Sequence, residues 1–235
     1  MRQKAKVLVV GGGPAGATAA RFLAESGLDV ILLERNLSFT KPCGGGFSLS
    51  AFDELGIPKT TIKKEIKSVR IVSPMGKMLD MELRGGNLAI VERGEFDMVL
   101  RNCAEEKGAE VTEGEFIRII DVNDKLYRVE AYIGEVKTEI VSEYIIAADG
   151  VNSRVRTALG IKPSKSLYTF SERIKGVETE FCELWFGSSH APGAYSWVFP
   201  ATDGISAGTG SFNPGETKAL FEKFRQRRGI IAEGR

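Results

Sequence analysis

An α/β fold, parallel at its core and carrying an inserted, mostly antiparallel β region, follows from three features of this 235-residue sequence. A Val-rich run, Lys6 to Val10, leads through Gly11-Gly12-Gly13-Pro14-Ala15-Gly16 into an Ala-rich segment and a second apolar run, Asp29 to Leu33. A third apolar run, Tyr144 to Ala148, ends in Asp149-Gly150, with a helix opening near Ser153. Between Ile66 and Glu92, and again beyond Gly160, short strand-like runs alternate with Gly- and Pro-containing turns at hairpin spacing.

The first run suits a strand buried on both faces of a parallel sheet. In the G-x-G-x-x-G spacing, Gly11 makes the tight turn, Gly13 lets backbone approach a pyrophosphate, and Gly16 lets the helix lie close on the strand. Pro14, followed by Ala15, fits the first helical turn, where its missing N–H would be unpaired anyway. The free N–H groups and the positive end of the helix dipole then hold phosphate. Glu34, with Arg35 beside it, ends the second strand about twenty residues past the glycines, where a carboxylate accepts hydrogen bonds from a ribose. The unit is Rossmann-like and binds a nucleotide. An acid at this place disfavours a 2′-phosphate, so NADP suits it least, while FAD and NAD are not separated by this stretch.

Composition narrows the class. Apolar residues at 43% and charged residues at 27% are ordinary for a soluble globular protein. A net charge of +1 offers no electrostatic case for nucleic acid. No apolar stretch reaches membrane-spanning length, and the opening MRQKAK leads into a strand rather than a signal peptide. Cys43, Cys103 and Cys182 are odd in number and widely spaced, which suggests a reducing cytoplasm. With His190 alone and no paired Cys/His spacing, no metal site is expected.

In chain order, the loop after Arg35 carries Cys43 ahead of Gly44-Gly45-Gly46, a bare backbone that permits positive φ. By itself it reads either as a thiol placed for close approach by a flat or bulky group, or as a flexible loop with an incidental cysteine. Ser50 to Leu55 is a short helical turn. Ile66 to Ser73, Lys77 to Leu83 and Leu88 to Glu92 are strands. Arg93 to Lys107 is a helix with Phe96, Val99, Leu100 and Cys103 at helical spacing, Cys103 being a core residue. Ala109 to Thr112 starts another strand, and a meander follows over Phe116 to Val122, Tyr127 to Ile133 and Lys137 to Val141. The Tyr144 to Ala148 strand then runs into Asp149-Gly150, a second junction able to present N–H groups to phosphate.

Beyond Gly160, strands are expected over Leu167 to Glu178, Phe181 to Phe186, Ala194 to Phe199 and Ile205 to Phe212. Period-two alternation puts Tyr195, Trp197 and Phe199 on one face, as core or as the wall of a greasy cavity, and spacing alone favours core. Glu216 to Arg228 is a basic amphipathic helix, which either packs on the domain or lies on a membrane surface.

Taken together, GGGPAG with Glu34, the Arg93-x-x-Phe96-Asp97 helix and Ala148-Asp149-Gly150-Val151-Asn152-Ser153-Arg154 resemble FAD-dependent flavoproteins of the hydroxylase-like superfamily. That resemblance implies FAD rather than NAD, with Arg93 near the cofactor and Asp149-Gly150 on its pyrophosphate side. Within the superfamily, Lys41-Pro42-Cys43-Gly44-Gly45-Gly46 and the Pro192 to Pro200 pattern, P-x-x-Y-x-W-x-F-P, resemble the geranylgeranyl reductase family and its archaeal digeranylgeranylglycerophospholipid members.

The family resemblance makes the aromatic strand a lipid-tunnel wall, with Tyr195, Trp197 and Phe199 as substrate-binding residues. Cys43 becomes the catalytic thiol, and Cys43, Gly44 and Gly45 become neighbours of the FAD. It implies an isoprenoid lipid as substrate and reduced ferredoxin or a nicotinamide nucleotide as electron donor. The expected location is cytoplasmic, with peripheral contact at the inner face of the membrane. The FAD-binding domain is expected over residues 1–64 and 92–164, and an incomplete lipid domain over 65–91 and 165–235. The sequence holds no Gly-Asp dipeptide, the fingerprint that should follow in such relatives. The fold is therefore expected to be truncated at the C-terminus, to retain FAD poorly, or to be completed by a separate polypeptide. The rival classes are an FAD monooxygenase of an apolar or aromatic substrate and an inactive nucleotide-binding fragment.

Overall fold

The Val- and Leu-rich runs at the N-terminus become β1 (Lys4–Val10) and β2 (Val30–Glu34), with α1 (Pro14–Glu25) between them. This computed structural model describes residues 2–163 and 165–230. β3 (Gly46–Ser48), α2 (Ser50–Glu54), β4 (Ile62–Ile66), β5 (Ser68–Val72), β6 (Met78–Glu82), β7 (Leu88–Val91) and α3 (Arg93–Glu106) follow. Next come β8 (Glu110–Glu113), β9 (Glu115–Asn123), β10 (Leu126–Ile133), β11 (Val136–Ala147) and α4 (Arg154–Ala158). The chain continues through β12 (Tyr168–Lys175), β13 (Cys182–Trp185), β14 (Ser196–Ala201), β15 (Gly204–Ser211) and α5 (Thr217–Arg228). No helix among the described residues is long and apolar enough to cross a membrane.

The described residues form two compact units, one from residues up to 39 and 94–163, the other from 40–93 and 165–230. In the first, the strand order is β8-β2-β1-β11-β10-β9, parallel through β8, β2, β1 and β11 and antiparallel beyond. Its core gathers Leu8, Val10, Ile31, Leu33, Val129, Ile140 and Val155, all at most 4% exposed. Continuous β-branched and leucine runs suit strands covered on both faces. The sequence reading separated Lys137–Val141 from Tyr144–Ala148, but β11 is one strand of 12 residues. No glycine or proline interrupts Ser142-Glu143, so the strand pairs with β10 through its first half and with β1 through its second.

In the second unit a six-stranded sheet, β12-β15-β14-β13-β5-β6, carries α5 on one face, and a three-stranded sheet, β3-β7-β4, accompanies it. Two of those strands were not expected. Gly46–Ser48 was hidden in a glycine loop, and Ile62–Ile66 by its polar sequence, IKKEI. Phe221 and Phe224 of α5 are fully buried on Val72, Trp185, Val198, Ile205 and Ala207, with ring contacts to Phe170 at 5.2 Å and Trp185 at 5.8 Å. The apolar face of α5 is thus covered by the sheet, so the membrane-surface reading of this helix falls and the packed reading stands. Gly229, in the left-handed region at φ 72°, closes the helix.

Glu183 of β13 is 1% exposed beneath that helix. Arg228 grips it with two bonds of 2.7 Å, Trp185 Nε1 donates to it at 2.7 Å, and Thr179 Oγ1 at 3.2 Å. A carboxylate removed from water in this way is satisfied on every side offered to it.

Candidate functional site

In the first unit the glycines divide the labour that their spacing suggests. Gly11 has φ +103°, and a Cβ there would lie 2.3 Å from the Ala148 carbonyl oxygen. At Gly16 a Cβ would lie 1.8 Å from the Gly11 oxygen, so only glycine lets α1 rest on β1. Around Gly13 nothing lies within 4 Å, and the backbone there is open. Pro14 opens α1, Ala15 is exposed in its first turn, and no side chain caps the helix. Uncapped N–H groups beside bare backbone make an anion seat.

Glu34 Oε2 accepts from the Gly12 N–H at 2.6 Å, and Oε1 accepts from the Asn36 N–H at 3.1 Å. The acid therefore braces the glycine turn and retains lone pairs for a ribose hydroxyl. Arg35 is exposed and lines a depression of about 470 Å³ with Glu113, Tyr132 and Glu135. Asp149 Oδ2 accepts from the N–H groups of Arg154 and Val155 at 2.7 and 3.2 Å, holding the start of α4. Its Oδ1 is buried with no partner among the described residues, and Gly150 has φ +83°. An orphaned buried acceptor, an open glycine and an uncapped helix start fit a dinucleotide with free hydroxyls.

Arg101 was missed by the sequence reading. It is 6% exposed, and its guanidinium donates to the Gly12 carbonyl at 3.2 Å and the Leu37 carbonyl at 2.8 Å. A signal existed: Arg93, Asp97 and Arg101 recur every four residues on α3, and all three are buried. Charges on a buried helical stripe have a task.

In the second unit the Cys43 loop is held from several directions. The Gly45 N–H points at Cys43 Sγ from 3.3 Å and Arg93 Nη1 from 3.6 Å. Ser206 Oγ donates to the Cys43 carbonyl at 3.2 Å. Gly44 and Gly46 lie under the Phe199 ring, where a Cβ would come within 2.5 and 3.0 Å of it. Gly45 has φ +74° and faces the Val91 carbonyl. Close ring contact and positive φ explain all three glycines, and the flexible-loop reading loses its support. Beside Arg93, burial pushes the Glu92 carboxyl up, but bonds from Arg173 and Thr202 outweigh it and leave it below the ordinary carboxylate value. Burial raises the Cys103 thiol, and raises Cys182 to about 12, which leaves Cys182 inert.

Trp197 and Phe199 share one face of β14, while Ser196, Val198 and Pro200 turn to the buried side; the strand begins at Ser196, so Tyr195 stands just before it rather than inside it. Trp197 covers Gly208, and the Tyr195 ring stands 6.3 Å away at 43% exposure. Trp197 Nε1 is buried with no partner among the described residues. The rings do not join the core beneath α5, and Phe199 packs instead against the cluster of Ile66, Ile90 and Cys182.

Comparison with known proteins adds a second line of observation. The family described as FAD binding domain matches residues 4–213. The chain is 34% identical over 232 residues to the chloroplastic geranylgeranyl diphosphate reductase of Oryza sativa subsp. japonica, covering 89% of this chain and 49% of that protein. It is 36% identical to the digeranylgeranylglycerophospholipid reductase of Methanosarcina mazei, covering 87% and 53%. A geranylgeranyl bacteriochlorophyll reductase-like crystal structure from Thermoplasma acidophilum superposes with a TM-score of 0.90 at 28% identity, covering 99% and 64%. The chain spans about half the length of the curated relatives it matches.

Proposed function

This chain belongs to the FAD binding domain family, and on that footing we propose that it serves an FAD-dependent reductase saturating the isoprenoid double bonds of membrane-lipid precursors. The observation that carries this reading is the Cys43 loop, a thiol oriented by Arg93 and Gly45 on a backbone clamped by Phe199 and Ser206. The curated relatives' names point the same way.

Bound FAD, once reduced, supplies hydride to the alkene, with reduced ferredoxin or a nicotinamide nucleotide as the source of electrons. The chain's own residues do the rest. Gly11, Gly13 and Gly16 shape the seat for the diphosphate, the first turn of α1 at Pro14-Ala15 offers it N–H groups, and Glu34 accepts from the ribose. Asp149 Oδ1 takes a further hydroxyl. An unactivated alkene is a poor hydride acceptor, so a proton must be delivered to one alkene carbon while positive charge develops on its neighbour, the carbon that takes the hydride. Cys43 Sγ gives up that proton and regains one from water. Tyr195, Trp197 and Phe199 keep the prenyl chain dry and aligned, and alignment is a large part of the barrier.

The reading is tested with the whole enzyme, geranylgeranyl diphosphate and an electron donor in air. The expected product has gained hydrogen across its double bonds, without oxygen uptake. Oxygen consumed in proportion to turnover would replace the reductase by a monooxygenase.

Glu34→Ala is expected to weaken FAD binding about tenfold to a hundredfold, as hydrogen bonds to a charged group contribute about 1.5–3 kcal/mol. Glu34→Gln, which can still accept from the Gly12 N–H, should fall between. Titration showing unchanged affinity in Glu34→Ala returns the residue to loop support alone.

A further inference from the structure

His190 is the single histidine of the sequence, and it is fully buried beside α5, its ring 5.5 Å from that of Phe224. Three hydrogen bonds close a circuit around it. His190 Nδ1 lies 2.8 Å from Ser196 Oγ, Ser196 Oγ lies 2.8 Å from Thr209 Oγ1, and Thr209 Oγ1 lies 2.6 Å from the His190 carbonyl oxygen. Ser196 and Thr209 are ladder partners on β14 and β15, and both are fully buried. The circuit therefore ties the 186–195 segment, which holds no Asp, Glu, Lys or Arg, to two inner strands of the six-stranded sheet.

Each hydroxyl has one proton to donate, and that fixes the direction of all three bonds. A carbonyl oxygen only accepts, so Thr209 donates to it. Ser196 must then donate to Thr209, and toward His190 it is left as an acceptor. The imidazole therefore carries its proton on Nδ1. Nε2 is left bare, buried and without a partner among the described residues. It faces backbone: a Cβ on Gly187 would come within 2.8 Å of it.

A second proton on this ring would place an N–H without an acceptor, and a full charge, where water does not reach. The surrounding charges offer no relief. Arg227 of α5 is positive and disfavours another cation. Arg225 is paired with Glu172 and Glu222, and Glu183 of β13 is paired with Arg228. Ser196, Thr209 and Phe224 are neutral. Burial, helped by Arg227, accordingly holds the imidazole below its ordinary value of 6.5.

We propose that His190 is an acid-released latch on the 186–195 segment and the start of β14. While the imidazole is neutral, the circuit of bonds stays closed. A proton on Nε2 is accommodated only where the segment lifts from the sheet and admits water. The open form takes up its proton at about 6.5 while the closed form resists it. The latch is thus at full strength above that pH and weakens as the pH falls from there toward the closed form's own, lower value. Opening becomes easier by up to about tenfold for each pH unit. The latch belongs to the second unit alone and does not rest on the reductase reading, although Tyr195 lies in the segment it releases.

Amide hydrogen exchange read by mass spectrometry tests it in the whole protein between about pH 7.5 and about pH 5, with intrinsic rates corrected for pH. Protection over residues 186–200 is expected to fall by up to about tenfold per pH unit below about 6.5, while β1 and β2 of the first unit keep theirs. His190→Asn offers an amide N–H in place of Nδ1–H but takes up no proton, so its protection over the segment should stay level with pH. Should that variant fold poorly, nitrogen NMR of the wild-type imidazole decides the same point. It is expected to show Nδ1 protonated and Nε2 bare at about pH 7, and still so below about 6.5. Wild-type protection that stays level, an Nε2–H tautomer, or a His190→Asn variant that loses protection with pH as wild type does overturns the proposal.

Discussion

Cys43→Ala, introduced into the whole enzyme, is expected to lower prenyl saturation by about a hundredfold or more while leaving bound flavin near wild-type levels. Removing a positioned proton donor commonly costs about 10²–10⁴ in rate. Flavin is spared because the Cys43 side chain only receives hydrogen bonds, from the Gly45 N–H and Arg93, while the loop's backbone is held separately by Ser206 and Phe199. Cys43→Ser separates proton supply from shape: a hydroxyl is a weaker acid than a thiol, so most of the loss should remain although the side chain is nearly isosteric. The measurement pairs the turnover rate with flavin absorbance in each purified variant. Full activity in Cys43→Ala removes the thiol from the chemistry, whatever the fold of its loop.

Arg228→Leu is expected to destabilise the second unit by about 3–5 kcal/mol, because it leaves the Glu183 carboxylate buried without its cation. Among the described residues, Glu183 would keep Trp185 Nε1 and Thr179 Oγ1 as side-chain donors. In a chain of this size such a loss lowers the melting temperature by roughly 10 °C. Glu183→Leu combined with Arg228→Leu should recover most of the loss, since apolar replacement of a whole buried pair is often near neutral. Recovery should stop short of complete, because Trp185 Nε1 would lose its acceptor. A single variant that melts with wild type would show that water reaches Glu183 and solvates it.

Local rules made much of this molecule legible. Gly16 announces the close strand–helix crossing because the contact that requires it, the Gly11 oxygen, lies in the same turn, whereas the Ala148 carbonyl that crowds Gly11 is distant in sequence. Trp197 and Phe199 fall on one face because strand periodicity has no freedom. What stayed hidden depends on partners distant in sequence. β3 is a strand only because β7 lies alongside it, and IKKEI of β4 pairs on the other edge of that same strand. Spacing alone favoured core for the aromatic row, and spacing does not say which layer covers it: α5 covers the Ser196, Val198 and Pro200 side, while Phe199 packs against the smaller cluster of Ile66, Ile90 and Cys182. Arg101 was legible only as a charge recurring with Arg93 and Asp97 along one helical stripe.

The continuity of β11 also governs the order in which the fold can be assembled. β1 occupies residues 4–10, yet its parallel partner on one side is residues 141–147. A nascent chain emerging from the ribosome therefore has β1 and β2 early but lacks the strand between β1 and β10 until synthesis passes Ala147. Closing so long a loop is slow relative to local pairing, and during the wait β1 presents an open edge that other chains can extend. The antiparallel meander, by contrast, forms from neighbouring residues as soon as it is made. Translation that pauses between β10 and the end of β11 should thus favour chaperone capture or aggregation of the first unit, and release past that point should end the exposure.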